Sequence, residues 1–102
     1  MSSEIRLSAS ALKVLKVFVE RPRDENSGAD ISKLAAIGSG TLYPLLARFE
    51  AAGWFESRWE SVEPSEVGRP RRRLYKLTAV GQRNALKAFS EFELTAGAFA
   101  WN

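Results

Sequence analysis

Five cations crowd one short stretch of the chain. Arg69, Arg71, Arg72, Arg73 and Lys76 fall within eight residues, with no acid among them. An arginine fork matches two phosphate oxygens, or enters a narrow minor groove. On an extended strand Arg72 and Lys76 share one face. The bland use of such a strand is a charged sheet edge that resists aggregation, and Glu60, Glu63 and Glu66, just before the run, can neutralise part of it. Other chemistries are poorly provided for. The 102 residues include no cysteine and no histidine, which removes disulfides, thiolate metal sites and the commonest general base. There is no clustered Asp/Glu spacing, no paired-carboxylate pattern and no phosphate loop, so an enzyme is disfavoured and neither a metal nor a cofactor is expected. Lys and Arg number 15 against 12 acids, a net charge of +3 that fits a nucleic-acid partner without requiring one.

A second group of residues is unusual for what it lacks. In GSGTLYPLLARFEAAG, Gly38 to Gly53, the apolar Leu42, Leu45, Leu46 and Phe49 recur at helical spacing and mark a buried stripe. The other side carries Gly40, Tyr43, Pro44, Ala47, Arg48 and Ala51 where a surface helix normally shows Lys and Glu. Small residues let a helix approach a DNA major groove or another protein, and this segment alone does not choose between them. Pro44 requires a helix start near Ser39 to Thr41, both of which can cap it. Tyr43 reads either as a core-edge ring or as a hydroxyl donor to phosphate. Arg48 reads either as a base or backbone contact or as a plain exposed arginine.

The elements that position these groups follow from periodicity. Ser8 or Ser10 caps a first helix with Leu12, Leu15 and Val19 on one face and Ala11, Val14 and Phe18 beside them; Pro22 marks its end, and RPRDENSG is a polar loop. Ser27 and Asp30 form a capping-box variant opening a short second helix with Ile31, Leu34 and Ala35 inward. A glycine-containing turn at Ile37 to Ser39 leads to the third helix, and the pair makes a helix-turn-helix. After Gly53 the period becomes that of a strand. Phe55, Ser57 and Trp59 share one face, and RRRLYKLT resumes with Arg73, Tyr75 and Leu77 together. The fold expected is mainly α with a small β-hairpin: a winged helix-turn-helix (ααα-ββ-α), residues 61–70 being the wing, with a last helix from Thr78 toward Asn102. The division expected is a DNA-binding domain over 1–78 and a dimerisation helix over 79–102.

On that last helix Ala85, Phe89, Phe92, Ala96 and Phe99 step by four, three, four and three, a heptad seam followed by Trp101. Val80 and Leu86 are expected to fold back on the chain's own core. The remaining seam calls for a second copy of the chain, and a dimer with two reading heads is what a palindromic operator requires. The rings either fill the dimer core or, at Phe92, Phe99 and Trp101, wall a pocket for a small aromatic effector.

SGTLYPLLARFEAAGWFESRWE followed by GRPRRRLYKLTAVGQ resembles the PadR family of bacterial transcriptional regulators. The resemblance rests on Gly-Thr-Leu-Tyr-Pro at 40–44, Arg-Phe-Glu at 48–50, Gly-Trp at 53–54, Trp-Glu at 59–60, the arginine strand and Leu-Thr-x-x-Gly at 77–81. It implies a homodimeric winged-helix repressor whose third helix, from Ser39, Gly40, Thr41, Tyr43, Pro44 and Arg48, enters the major groove. It further implies that Tyr43 and the wing arginines contact DNA, that the C-terminal part dimerises, and that a phenolic or drug-like aromatic relieves repression. Phe49 stands where the family usually has leucine, Leu74 where it often has an aromatic, and Ala29-Asp30 replace a common Gly-Tyr. With no apolar run long enough for a membrane span and no signal peptide, a cytoplasmic protein is expected. The competing reading is a winged-helix adaptor that binds a protein through the smooth helix, which would leave the arginine strand without a purpose.

Overall fold

The computed structural model describes residues 7–100, with side chains to residue 91. Its elements run α1 (Ala9–Glu20), β1 (Asn26–Ser27), α2 (Gly28–Ala35), α3 (Ser39–Ala51), β2 (Phe55–Trp59), α4 (Pro64–Val67), β3 (Arg73–Leu77) and α5 (Ala79–Ala100). The expected order of three helices, two strands and a final helix is present, with two short additions.

Local chemistry sets the boundaries. Ser8 caps α1 by accepting from the Ala11 amide at 3.2 Å. At α2 the capping box closes in both directions: Asp30 N–H donates to Ser27 Oγ at 3.1 Å, and Ser27 N–H donates to the Asp30 carboxylate at 3.4 Å. The α2–α3 turn passes through Ala36 in the left-handed region, φ 56°. The start of α3 differs from expectation. Gly38 is its N-cap without a side-chain hydrogen bond, so neither Ser39 nor Thr41 caps it. Pro44 is therefore the sixth helical residue, not a first-turn residue. Its missing N–H leaves the Gly40 carbonyl without an intrahelical donor, and both residues are exposed, so water can serve that carbonyl.

The core is an aromatic cluster shared by the helices and the sheet. Phe18 of α1 lies 4.6 Å from Phe55 of β2, centroid to centroid, and Phe49 of α3 lies 5.1 Å from Phe55 and 5.2 Å from Trp54. Leu15, Ile31, Leu42, Leu45, Leu46 and Leu77 close around them. Leu34, expected inward, is 66% exposed: Ile31 and Ala35 alone fill the space α2 offers. Leu12 and Val19 are half-buried, because the inward stripe of α1 centres on Ala11, Val14, Leu15 and Phe18.

The sheet has three antiparallel strands in the order β1-β3-β2, not two. Asn26 and Ser27, from the expected polar loop, pair with Tyr75 and Leu74 and cover the outer edge of β3. On the hairpin Phe55 faces Leu77, Ser57 faces Tyr75 and Trp59 faces Arg73, so these six share the core side. The wing tip contains one helical turn, α4, ended by Gly68 at φ 69°. Val80 and Leu86 do not fold back on the core; they are 43% and 50% exposed. The inward face of α5 is instead Gly81, Ala85 and Ala88, with Phe89 packed at the core's margin. Small residues win there because α5 runs close to the β2 entry.

Candidate nucleic-acid interface

The helix expected to read DNA is held from beneath and bare above. Leu42, Leu45, Leu46 and Phe49 are buried at 3% exposure or less, which fixes the rotation of α3. Ser39, Gly40, Thr41, Tyr43, Pro44, Ala47 and Arg48 are all exposed. No acid stands among them. Gly38 and Gly40 face open space, so nothing in the chain itself requires them to be glycine. Tyr43 is neither a core ring nor free. Its ring rests on Gly28, where an added Cβ would collide with both the ring and the hydroxyl, yet the side chain is 49% exposed. Arg48 reaches back weakly to the Pro44 carbonyl at 3.5 Å.

The five wing cations fall into two groups. Arg69 is clamped by Glu60, its Nη1 and Nη2 donating to the two carboxylate oxygens at 2.6 and 3.2 Å. Arg73 Nε donates to Ser57 Oγ at 3.0 Å, its guanidinium lies 3.8 Å from Glu50, and its Cζ sits 5.2 Å over the Trp59 ring. Arg71 Nε donates to the Val62 carbonyl at 2.8 Å, with Glu63 3.5 Å away. Arg72 and Lys76 differ. Among the described residues neither side chain makes a hydrogen bond or ion pair, and they feel only the through-space pull of Glu60 and Glu25 respectively. The cation set is thus real but unevenly available.

The acids that hold the arginines were not singled out as site residues from sequence. Glu60 accepts from Arg69 and from the Arg72 backbone N–H at 2.9 Å, and these bonds hold its carboxyl down at a pKa of about 2. Glu50 accepts from Ser57 Oγ at 2.7 Å, tying the end of α3 to the base of the wing. Glu25 and Arg58 form a two-bond pair, both at 2.7 Å, whose attraction lowers the carboxyl pKa and raises that of the guanidinium. Burial, and then the charge of Glu50, push the Tyr75 hydroxyl pKa up. The available signal was the motif itself: Glu50 ends Arg-Phe-Glu and Glu60 ends Trp-Glu. Trp59, 58% exposed, Pro64, Pro70 and Arg71 border an open groove of about 730 Å³ beside Glu60.

A third site joins wing, helix and C-terminal element. The Thr78 N–H donates to the Trp54 carbonyl at 2.9 Å, Thr78 Oγ1 donates to the Gly53 carbonyl at 2.6 Å, and the Gly81 N–H donates to Thr78 Oγ1 at 3.0 Å. A Cβ at Gly81 would overlap the Trp54 carbonyl, coming within 2.8 Å of its carbon. This explains Gly-Trp and Leu-Thr-x-x-Gly as two halves of one joint. Of the expected seam, Ala85 is fully buried in the chain's own core and so faces no partner. Phe89 is half-buried; the side chains of Phe92, Ala96 and Phe99, and Trp101 altogether, lie outside the described residues.

The family model of the transcriptional regulator PadR-like family matches residues 27–87, which span α2, α3, the wing and the joint. The chain belongs to the PadR-like family of transcriptional regulators. Solved structures agree in fold. A PadR family transcriptional regulator from Eggerthella lenta DSM 2243 is 24% identical with a TM-score of 0.70, over 85% of this chain and 77% of that one. BpsR of Bordetella bronchiseptica, described by the regulation of its DNA binding by 6-hydroxynicotinic acid, is 18% identical with a TM-score of 0.73, over 91% and 61%. NadR in complex with 4-hydroxyphenylacetate is 22% identical with a TM-score of 0.69, over 90% and 60%. The chain therefore spans about three fifths of the last two proteins. At these identities the likeness establishes the winged-helix fold. No curated protein matches the sequence. Among the described residues no helix is long and apolar enough to cross a membrane, and no group of three or more Asp and Glu could hold a metal ion.

Proposed function

We propose that this PadR-like regulator is a homodimeric repressor that binds a palindromic operator. Ser39, Gly40, Thr41, Tyr43, Pro44 and Arg48 meet the major groove, and the wing meets the flanking backbone through Arg72, Lys76 and, at its tip, Arg71. The observation that carries this reading is the exposed face of α3, acid-free and built of small side chains, standing on a fully buried leucine stripe. A helix so shaped fits a groove closely, and the unpaired Arg72 and Lys76 supply the phosphate attraction that holds it there.

The second copy joins through α5. With Ala85 committed to the core, the seam starts at Phe89 and continues by heptad spacing through Phe92, Ala96 and Phe99. Exposed Leu86, one turn before Phe89, extends it. A small aromatic effector bound at Phe92, Phe99 and Trp101 would change the separation of the two heads and so release the operator. The ligands named for BpsR and NadR support that part of the reading.

The test is fluorescence anisotropy on a labelled duplex from upstream of the protein's own coding sequence, against a scrambled duplex, over a salt series. Tighter binding to the upstream duplex, with half-sites ~10 bp apart or a multiple by footprinting, is expected. Binding that is absent, or equal for both duplexes at every salt concentration, rejects the proposal.

A further inference from the structure

Two acids stand in a region that should attract phosphate. Glu60 and Glu50 both lie beside wing arginines, and by simple attraction each should weaken DNA binding. What Glu60 does is visible at the mouth of the wing. β2 and β3 pair to Trp59 and Arg73, and the next pair is Glu60 and Arg72. The Glu60 N–H still donates to the Arg72 carbonyl at 2.9 Å. The return bond goes elsewhere: the Arg72 N–H donates to Glu60 Oε1 at 2.9 Å, so a carboxylate replaces the ladder carbonyl where the strands part. The same carboxylate grips the Arg69 fork with both oxygens, and Arg69 Nη1 also donates to the Pro70 carbonyl at 3.1 Å. One side chain thus fixes both ends of the 69–72 segment. Across the sheet, Glu50 and Ser57 hold Arg73 in the same way, against the Trp59 ring.

We infer that Glu60 is a positioning residue for DNA binding: it ties Arg69 inward and pins the Arg72 backbone, so that the Arg72 guanidinium projects to phosphate while Arg69 contacts no DNA. This rests on the proposed DNA-binding function. It divides the basic run by role. Arg72 and Lys76 neutralise phosphate; Arg69 and Arg73 are internal ties whose charge is already matched. It also fixes the sign of an effect that charge alone gets wrong. Removing the Glu60 charge brings the wing closer to a pure polycation, yet frees the segment that aims Arg72.

The experiment is anisotropy on the upstream and scrambled duplexes from low to high NaCl, with wild type, Arg72→Ala, Arg69→Ala, Arg69→Lys, Glu60→Gln and the Glu60→Gln/Arg69→Ala double variant. Circular dichroism melts confirm that each is folded. Arg72→Ala should flatten the log–log salt slope by about 0.9, one phosphate contact. Glu60→Gln and Arg69→Ala should keep the wild-type slope and weaken binding by between about 2-fold and about 10-fold, the cost of immobilising a released side chain on binding. The double variant should be no weaker than the worse single one, because the two residues share one contact. Arg69→Lys should behave as Arg69→Ala, since an ammonium cannot replace the fork in the clamp. Tighter binding by Glu60→Gln, or a slope for Arg69→Ala reduced as far as that of Arg72→Ala, overturns the assignment. Wild type without salt-dependent binding to either duplex overturns the DNA reading and this inference together. Wild type and Arg72→Ala behaving as stated while the Glu60 and Arg69 variants do not overturns the positioning role alone.

Discussion

Replacing Gly81 by alanine should destabilise the fold, although the same change inside an ordinary helix stabilises it. Alanine is favoured over glycine in helices by ~0.8–1.0 kcal/mol. Against this stands the joint between α5 and the start of β2. The new methyl would overlap the Trp54 carbonyl and lie within 2.9 Å of its Cα, and these are backbone atoms that cannot swing aside. Relief requires α5 to retreat by roughly 1 Å, given ordinary van der Waals contact at ~3.5–4.0 Å. The Thr78 bonds to Gly53 and Trp54, at 2.6 to 3.1 Å, resist that movement. Overpacking costs ~1–3 kcal/mol, and one lost hydrogen bond adds ~1 kcal/mol. After the propensity gain the net loss is about 1–3 kcal/mol, or a fall in Tm of ~4–8 °C per kcal/mol for a domain of this size. Circular dichroism melts at matched protein concentration measure it. Gly40→Ala is the control: no atom lies within 4 Å of the new Cβ, so its Tm should hold or rise. A Gly81→Ala protein that melts at or above wild type would refute the joint as a close-packed contact.

Periodicity made most of the fold legible. The stripe of Leu42, Leu45, Leu46 and Phe49 fixed α3 and its bare opposite face, because one sequence period reports both. The Ser27–Asp30 box was readable because its partners are three residues apart. What sequence missed depends on distance in space. Asn26 and Ser27 carry no strand pattern of their own; they are extended because β3 offers an open edge. Leu34, Val80 and Leu86 looked inward by residue type, yet smaller neighbours took the core positions, since α5 must approach Trp54 closely enough to need Gly81, Ala85 and Ala88. The wing arginines were visible as charge, but their division into held and unpaired required Glu60, twelve residues from Arg72, and Glu50, on another element. Sequence lists charges; which of them are already matched is a tertiary fact.

Three further outcomes can be checked. The Glu60 carboxyl should titrate near pH 2 by NMR and move up toward the ordinary 4.5 in Arg69→Ala. Because its folded pKa is depressed, the clamp's contribution is complete above about 4.5 and lost as pH falls toward 2; a wild-type midpoint near 4.5 would mean the clamp does not form in solution. Phe92→Asp should break the dimer in sedimentation, since two facing carboxylates would be buried without partners, and monomeric heads should bind the operator far more weakly; an intact dimer would move the seam elsewhere. Gly28→Ala should separate DNA binding from stability. The new methyl meets only the Tyr43 ring and hydroxyl, on a side chain that is 49% exposed and able to swing outward. An off-rotamer ring costs ~0.5–1.5 kcal/mol, nearly offset by the ~0.8–1.0 kcal/mol helix gain of alanine, so Tm should stay close to wild type. Tyr43 would nevertheless leave its place on the groove-facing surface of α3, and operator affinity should fall about as far as in Tyr43→Ala. Unchanged affinity alongside a displaced ring would remove Tyr43 from the interface.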